Sequence, residues 1–272
     1  MKRVIAVHDI SGVGKCSLTA ALPILSAAGI ECNPLPTAIL STHTGNIEGY
    51  TFTDLTDKMM PAFEHWMKLG LKFDGLYSGY LGSVEQTKIV EQMAEKLDNA
   101  LIVIDPAMAD SGKLYVGFDD NFVLEMKRLC KKADVLVPNI TEGCLLTGKE
   151  YKEDFSLEET EELLCSLGEI AKKYVVLTGT SSDKNSTGVS VFEKATGIIK
   201  HYSSPKYPGT YYGTGDIFAS VLTAGLMKGK NCFDAAKKAM NFTASAIKET
   251  YEAGTDPRFG VAFEEFLAEF SA

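Results

Sequence analysis

Histidine is scarce in this 272-residue chain (four residues) and tryptophan nearly absent (one). The six cysteines, Cys16, Cys32, Cys130, Cys144, Cys165 and Cys232, form no C-x-x-C pair and have no histidine at metal-ligand spacing. That favours reduced, mostly buried thiols over zinc or disulfides. No long basic run exists and the net charge is −9, so there is no electrostatic footprint for nucleic acid or an anionic membrane. No stretch approaches the ~18 apolar residues of a membrane span. The opening MKRVIAVHDI begins like a secretory signal, but His8 and Asp9 interrupt its apolar part and no small-residue cleavage pattern follows. A cytoplasmic protein is expected. Neither a Pro/Ser-rich linker nor an internal repeat nor a low-complexity segment divides the chain, so a single domain over residues 1–272 is expected.

A nucleotide loop of the P-loop type is also missing, although residues 9–17, DISGVGKCS, invite the comparison. That motif needs a glycine five positions before its Gly-Lys pair and Ser or Thr after the lysine. Here Asp9 stands at the first position and Cys16 at the second.

What is present is an alternation. Strand candidates occupy residues 3–8, 33–40, 73–79, 100–106, 133–139 and 174–180, and helix candidates 17–29, 54–71, 83–97, 121–132 and 157–173. Near-continuous apolar strands between amphipathic helices predict an α/β fold with a mostly parallel sheet covered on both faces. Residues 188–204 read as a hairpin turning near 194–197, and a helical pattern runs from Gly213 to about Tyr251. Ligands of open α/β sheets sit beyond the carboxyl ends of the strands. The residues there are His8 and Asp9, the run Ser41-Thr42-His43-Thr44-Gly45, then Ser78-Gly79-Tyr80, Asp105-Pro106, Pro138-Asn139 and Thr178-Gly179-Thr180. Nearly all are polar or glycine, as the rim of one cleft would be.

Three elements carry chemistry. In GTGD, residues 213–216, the amides of Gly213, Thr214 and Gly215 would lie at the positive end of a helix and could hold an anion, with Asp216 a base beside it. Asp216 could instead simply cap that helix. In PNITEG, residues 138–143, Glu142 follows Asn139 by three, which fits either a capping box or a carboxylate for the waters of Mg²⁺ beside a nucleotide phosphate. Asp105, before a proline, and Asp110 could orient magnesium and phosphate or stabilise a turn. His8 could be a ligand contact or a satisfied polar residue at a strand end.

Together these segments resemble the ribokinase-fold kinases and, within them, the pyridoxal kinase family. The resemblance covers almost the whole chain in the same order: G-T-G-D at 213–216, D-P at 105–106, P-N-x-x-E at 138–142, SGYLGS at 78–83 and the S-x-H-T-G run at 41–45. It implies a three-layer fold with a central, mostly parallel sheet and ATP-dependent phosphorylation of the 5′-hydroxymethyl group of pyridoxal, pyridoxine or pyridoxamine. By the same resemblance Asp216 accepts the hydroxyl proton, and Gly213, Thr214 and Gly215 hold the transferring phosphoryl group. Asp105, Asn139, Glu142, Thr178 and Thr214 are expected around ATP, and Asp105, Asp110 and Glu142 around Mg²⁺. Thr44 and Tyr80 are expected to line the pyridine pocket, and residues 203–212 to fold over ATP. A homodimer and a response to K⁺ are also implied. The family often has serine on the ring where this chain has His8, so His8 or Asp9 is expected to take that contact. Two alternatives stand beside this reading: a hydroxymethylpyrimidine kinase of the same fold, and a non-catalytic metabolite-binding protein.

Overall fold

The computed structural model describes residues 1–181 and 183–270. The chain forms two compact units, Met1–Tyr77 with Tyr207–Ala272, and Ser78–Lys206.

The first unit opens with β1 (Arg3–Val13), α1 (Ser17–Ala27), β2 (Glu31–Thr42), β3 (Phe52–Asp54), α2 (Thr56–Lys68) and β4 (Gly75–Ser78). Its strands lie in the order β4-β1-β2-β3. Val4, Ile5, Ala6 and Val7 of β1 are fully buried, the continuous burial a strand needs when both sheet faces are covered. β1 runs parallel to β2 from Arg3↔Glu31 to Val13↔Thr42, with an irregularity between His8 and Ile10. The strand thus runs through His8 and Asp9 to Val13, five residues further than expected, so Ser11 and Gly12 lie in a strand and not in a loop. Pro34 and Pro36 sit inside β2 where no β3 residue pairs with it, since β3 covers only Ala38 to Leu40. There the missing N–H of proline costs no ladder bond.

The second unit contains α3 (Val84–Lys96), β5 (Leu101–Ile104), β6 (Ala109–Asp110), β7 (Lys113–Leu114), α4 (Asp120–Cys130), β8 (Val135–Leu136), α5 (Ile140–Thr147), α6 (Leu157–Gly168), β9 (Tyr174–Thr180), β10 (Ser186–Glu193) and β11 (Ile198–Pro205). Its large sheet runs β5-β8-β9-β10-β11. β5, β8 and β9 are parallel, whereas β10 and β11 return antiparallel as the expected hairpin. β6 and β7 form a hairpin absent from the sequence reading. Its two turn residues, Ser111 and Gly112, have φ of 50° and 76°, the pair of positive values a two-residue hairpin turn demands.

The chain then returns to the first unit as α7 (Thr214–Met227) and α8 (Cys232–Ala253). The helical pattern expected over 213–251 is formed by two helices, separated at Gly229, whose φ of 81° a helix cannot continue. Residues 217–225 of α7 are buried, and a Cβ on Gly225 would come within 2.9 Å of Ala235 Cβ. Ala235, Ala239 and Ala246 are core residues.

Candidate active site

In the first unit the start of α7 is unusual. Its N-cap is Gly213 at φ 75°, and it has no side-chain cap among the described residues. Asp216 is therefore the third residue of the helix, not its cap. The first-turn amides keep the positive end of the helix dipole without a side chain upon it. Gly215 is exposed, and Gly213 and Thr214 are half-buried. The Asp216 side chain retains 17% exposure. Burial, reinforced by the negative charge of Asp9, pushes its pKa up to about 7 against the opposing pull of the Ser17 N–H.

Asp9 is buried and satisfied from both sides: Ser17 Oγ donates to Oδ1 at 2.6 Å and Ser11 Oγ to Oδ2 at 3.0 Å. Burial still raises its pKa, with the two hydroxyls pulling the other way. Ser17 adopts φ 49°, a left-handed conformation costing a serine about 1 kcal/mol or more. In that conformation it serves both carboxylates, its hydroxyl to Asp9 and its N–H to Asp216.

His8 has no solvent exposure at all, and neither ring nitrogen has a hydrogen-bond partner among the described residues. Such orphaned polar atoms cost about 1–3 kcal/mol. Nδ1 lies 3.9 Å from Asp216 Oδ1, but desolvation lowers the imidazole pKa to about 3, so this is not an ion pair. The ring meets Tyr77 in a T-shaped contact, centroids 4.4 Å apart. Tyr77 Oη donates to the Asp216 carbonyl at 3.3 Å and accepts from Ser220 Oγ at 3.4 Å. A pyridine contact was expected of His8 or Asp9. His8 offers a ligand no surface, and Asp9 only 5%. The bulged strand carries both side chains inward.

Of the S-x-H-T-G run, Thr44 is exposed and His43 is buried. His43 stacks on Tyr212, centroids 5.1 Å apart, accepts from Gly45 N at 3.1 Å through Nδ1 and meets the Arg258 carbonyl through Nε2. Those two bonds fix the Nε2–H tautomer.

In the second unit, Asn139 and Glu142 form the capping box. Asn139 Oδ1 accepts from Glu142 N at 2.9 Å, and Glu142 Oε2 accepts from Asn139 N at 2.8 Å. Glu142 Oε1 takes Met108 N at 3.1 Å and Ala109 N at 3.5 Å, and Asn139 Nδ2 donates to Ala109 O at 2.7 Å. The cap of α5 thereby also anchors the segment leading into the β6–β7 hairpin. Burial outweighs these three N–H donors and, with the charge of Asp110, holds the Glu142 pKa well above the usual carboxylate range. Asp110 is exposed and accepts from Ser111 N at 2.7 Å, while Asp105 is buried with its N–H on Ser78 O at 2.9 Å. Thr178 N donates to Pro138 O at 2.9 Å, placing Thr178 beside Asn139. Tyr80 stacks on Phe118, centroids 5.7 Å apart. Among the described residues no three His, Cys, Asp or Glu side chains converge as a metal cage. Mg²⁺ does not require one, because it keeps several waters and needs one or two carboxylates besides phosphate oxygens.

A group with a raised folded pKa contributes stability below its unfolded value, about 4.3 for Glu, and loses it as pH climbs through the folded value. The wild-type protein is therefore expected to lose stability from mildly acidic to mildly alkaline pH. Glu142→Gln is expected to flatten that slope, and to lower stability by about 1–3 kcal/mol at pH 5 because its amide meets a peptide N–H donor to donor. Urea denaturation of both proteins between pH 5 and 8 checks this, and parallel slopes would exclude Glu142 as the source.

Sequence reading passed over Ser11, Ser17 and Tyr77, and placed Tyr212 only at the end of the segment expected over ATP. Tyr77 looked like one more apolar strand residue, and its link to Asp216 spans 139 positions of chain. Ser17 could have drawn notice only as the polar residue after Cys16, since nothing in composition announces a positive φ.

An α/β chain in which a glycine turn leaves a helix start open beside a half-buried carboxylate defines a small-molecule kinase of the ribokinase-like fold. A family model for phosphomethylpyrimidine kinase matches residues 18–259, and the chain belongs to that family. A candidate phosphomethylpyrimidine kinase from Bacteroides thetaiotaomicron, solved in an orthorhombic form with pyridoxal, is 39% identical with TM-score 0.94, covering 100% of this chain and 96% of that one. Pyridoxal kinase from Lactobacillus plantarum is 33% identical with TM-score 0.92, covering 99% and 96%. A pyridoxal kinase of Haemophilus influenzae is 28% identical over 273 residues, 94% of this chain and 91% of that protein. No helix among the described residues is long and apolar enough to cross a membrane.

Proposed function

We propose that this kinase transfers the γ-phosphoryl group of ATP to the 5′-hydroxymethyl group of pyridoxal, pyridoxine or pyridoxamine. The observation that carries the chemistry is Asp216, a carboxylate with pKa near 7 standing in the first turn of a helix that has no side-chain cap among the described residues. The choice of vitamin over pyrimidine is supported by the 39%-identical relative solved with pyridoxal and by the 33%-identical pyridoxal kinase.

Asp216 takes the alcohol proton as the alcohol oxygen bonds to the γ-phosphorus and ADP departs. The amides of Gly213, Thr214 and Gly215 carry the charge on the transferring group, where preorganised donors give the largest stabilisation. In the second unit Asp105, Asn139, Glu142 and Thr178 serve the nucleotide, together with Thr214 of the first. Mg²⁺ would supply charge neutralisation of the phosphates, and Asp105, Asp110 and Glu142 would hold it. Thr44 and Tyr80 face the pyridine ring, residues 203–212 cover ATP, and K⁺ adds to activity. Residues 1–272 act as one kinase domain, a reading supported by a family match that runs across both units. The enzyme works in the cytoplasm, in keeping with six scattered cysteines that form no C-x-x-C pair. It pairs as a homodimer, for which Val13, Ile39 and Phe52 offer exposed apolar side chains on neighbouring strands; a monomer by light scattering would reject that.

Turnover assays with ATP and Mg²⁺, offering each vitamer and hydroxymethylpyrimidine in parallel, test the assignment. A vitamer is expected to exceed the pyrimidine in kcat/KM by at least about tenfold, a difference of about 1.4 kcal/mol in transition-state binding. The reverse order makes the protein a pyrimidine kinase, and no turnover of any alcohol makes it a binding protein. Because the base must be ionised, kcat/KM for the preferred vitamer is expected to fall as pH drops below about 7, where Asp216 takes up its proton. A profile flat down to pH 5 would remove Asp216 as the titrating base.

A further inference from the structure

His8 is buried without solvent exposure, holds a neutral imidazole with both nitrogens unpartnered among the described residues, and points Nδ1 at Asp216 Oδ1 from 3.9 Å. We propose that His8 is a positioning residue for the proton-accepting carboxylate: once Asp216 has taken the alcohol proton, its Oδ1–H donates a hydrogen bond to His8 Nδ1. This inference rests on the reading of Asp216 as base.

The gap is about 1 Å longer than a hydrogen bond, a distance that rotation of one carboxylate covers. With the imidazole proton on Nε2, Nδ1 neither donates to the ionised Asp216 nor has a hydrogen to accept from it. When the proton arrives, the acid gains a donor and finds the acceptor already in place. The balance is simple. The alcohol O–H bond breaks and the Asp216 Oδ1–H bond forms, the alcohol oxygen bonds to the γ-phosphorus as the bond to ADP breaks, and the proton leaves for solvent after the products.

The other groups around Asp216 do not supply this acceptor. From β1, Asp9 has both oxygens engaged by Ser11 and Ser17, and from the start of α1 come the Cys16 thiol and the Ser17 N–H. From β4, the Tyr77 hydroxyl donates to the Asp216 main-chain carbonyl and not to its side chain. His43 acts on Asp9, and Lys15 is paired with Glu264 at 2.8 Å. A hydrogen bond made only to the protonated acid raises the acid's pKa. His8 therefore helps to hold Asp216 near neutrality, where a base is most effective.

The test is the pH profile of kcat for His8→Leu, His8→Asn and His8→Gln, with Asp216→Asn alongside. His8→Leu is expected to lose about tenfold in kcat with vitamer KM within about twofold, and its acidic limb is expected to move to lower pH. Simple loss of a polar neighbour would move the limb the other way, since a more apolar wall raises a carboxylate pKa. His8→Asn sets an amide oxygen near the place of Nδ1 and is expected to restore both kcat and the limb, whereas His8→Gln is not. An unshifted or upward-shifted limb in His8→Leu overturns the inference. Should that variant not fold, equal limbs in His8→Asn and His8→Gln overturn it instead. Asp216→Asn separates the two levels. If it retains turnover, the base assignment itself is wrong and this inference falls with it. If it is inactive while His8→Leu keeps the wild-type limb, only the role of His8 falls.

Discussion

Asp216→Ala is expected to reduce turnover at least about 100-fold, because a positioned base typically contributes 10²–10⁴-fold. KM for ATP should stay within about twofold, since the lost interaction belongs to the acceptor alcohol and its proton. Steady-state kinetics with saturating vitamer check both numbers, and near-normal turnover would take Asp216 out of the mechanism. Stability should move the other way. The folded pKa of Asp216 is raised to about 7, so keeping the group ionised in its buried position costs the fold stability that grows as pH climbs from about 4 through 7. Asp216→Asn, which retains an acceptor for the Ser17 N–H, is therefore expected to be more stable than wild type at pH 8 by about 1–3 kcal/mol, and hardly so at pH 4.5. A gain of stability bought at the expense of turnover is the mark of a carboxylate kept for chemistry.

Gly213→Ala is the second large effect. Gly213 has φ 75°, where a Cβ costs about 1–2 kcal/mol, and that Cβ would overlap the carbonyl oxygen of Lys15. Main chain has to move on one side or the other, so the expected loss is about 2–4 kcal/mol of stability. Because the shift displaces the first amides of α7, turnover in the folded fraction should fall about 100-fold, the scale of losing one anion-hole donor. Gly215→Ala is the control. A Cβ there meets nothing within 4 Å, so its stability should be unchanged or slightly improved. Thermal melts of the two variants decide the matter, and equal melting temperatures would show that the approach of Lys15 to Gly213 carries no constraint.

How far the sequence reached differs between the two halves of the site. In the second unit, spacing was enough to place Asn139 and Glu142 in one capping box, because a cap is a contact between residues three apart. It left open whether Glu142 serves helix or metal. Both Glu142 oxygens are now seen on peptide N–H groups, three donors in all, which is a structural duty whatever else the carboxylate does. In the first unit the sequence left Asp216 between cap and base. The helix boundary excludes the cap: α7 starts one residue after Gly213, too early for Asp216 to cap it. The P-loop lookalike at residues 9–17 proved to be partly strand, its carboxylate held by two serine hydroxyls. The helical pattern over 213–251 is interrupted at Gly229, a residue that leaves the helical conformation.

By itself, then, the chain determined what local periodicity and short spacings encode: alternating strands and helices, the hairpin of β10 and β11, the α5 cap, and the glycine turn before Asp216. Tertiary structure alone decided which groups meet Asp216. His8, Ser17 and Tyr77 come to it from three separate strands and helices, at sequence distances of up to 208 positions (216 − 8). Burial by the packed core, which no short window of sequence records, then raised the pKa of Asp216 to about 7 and left a histidine neutral at its side.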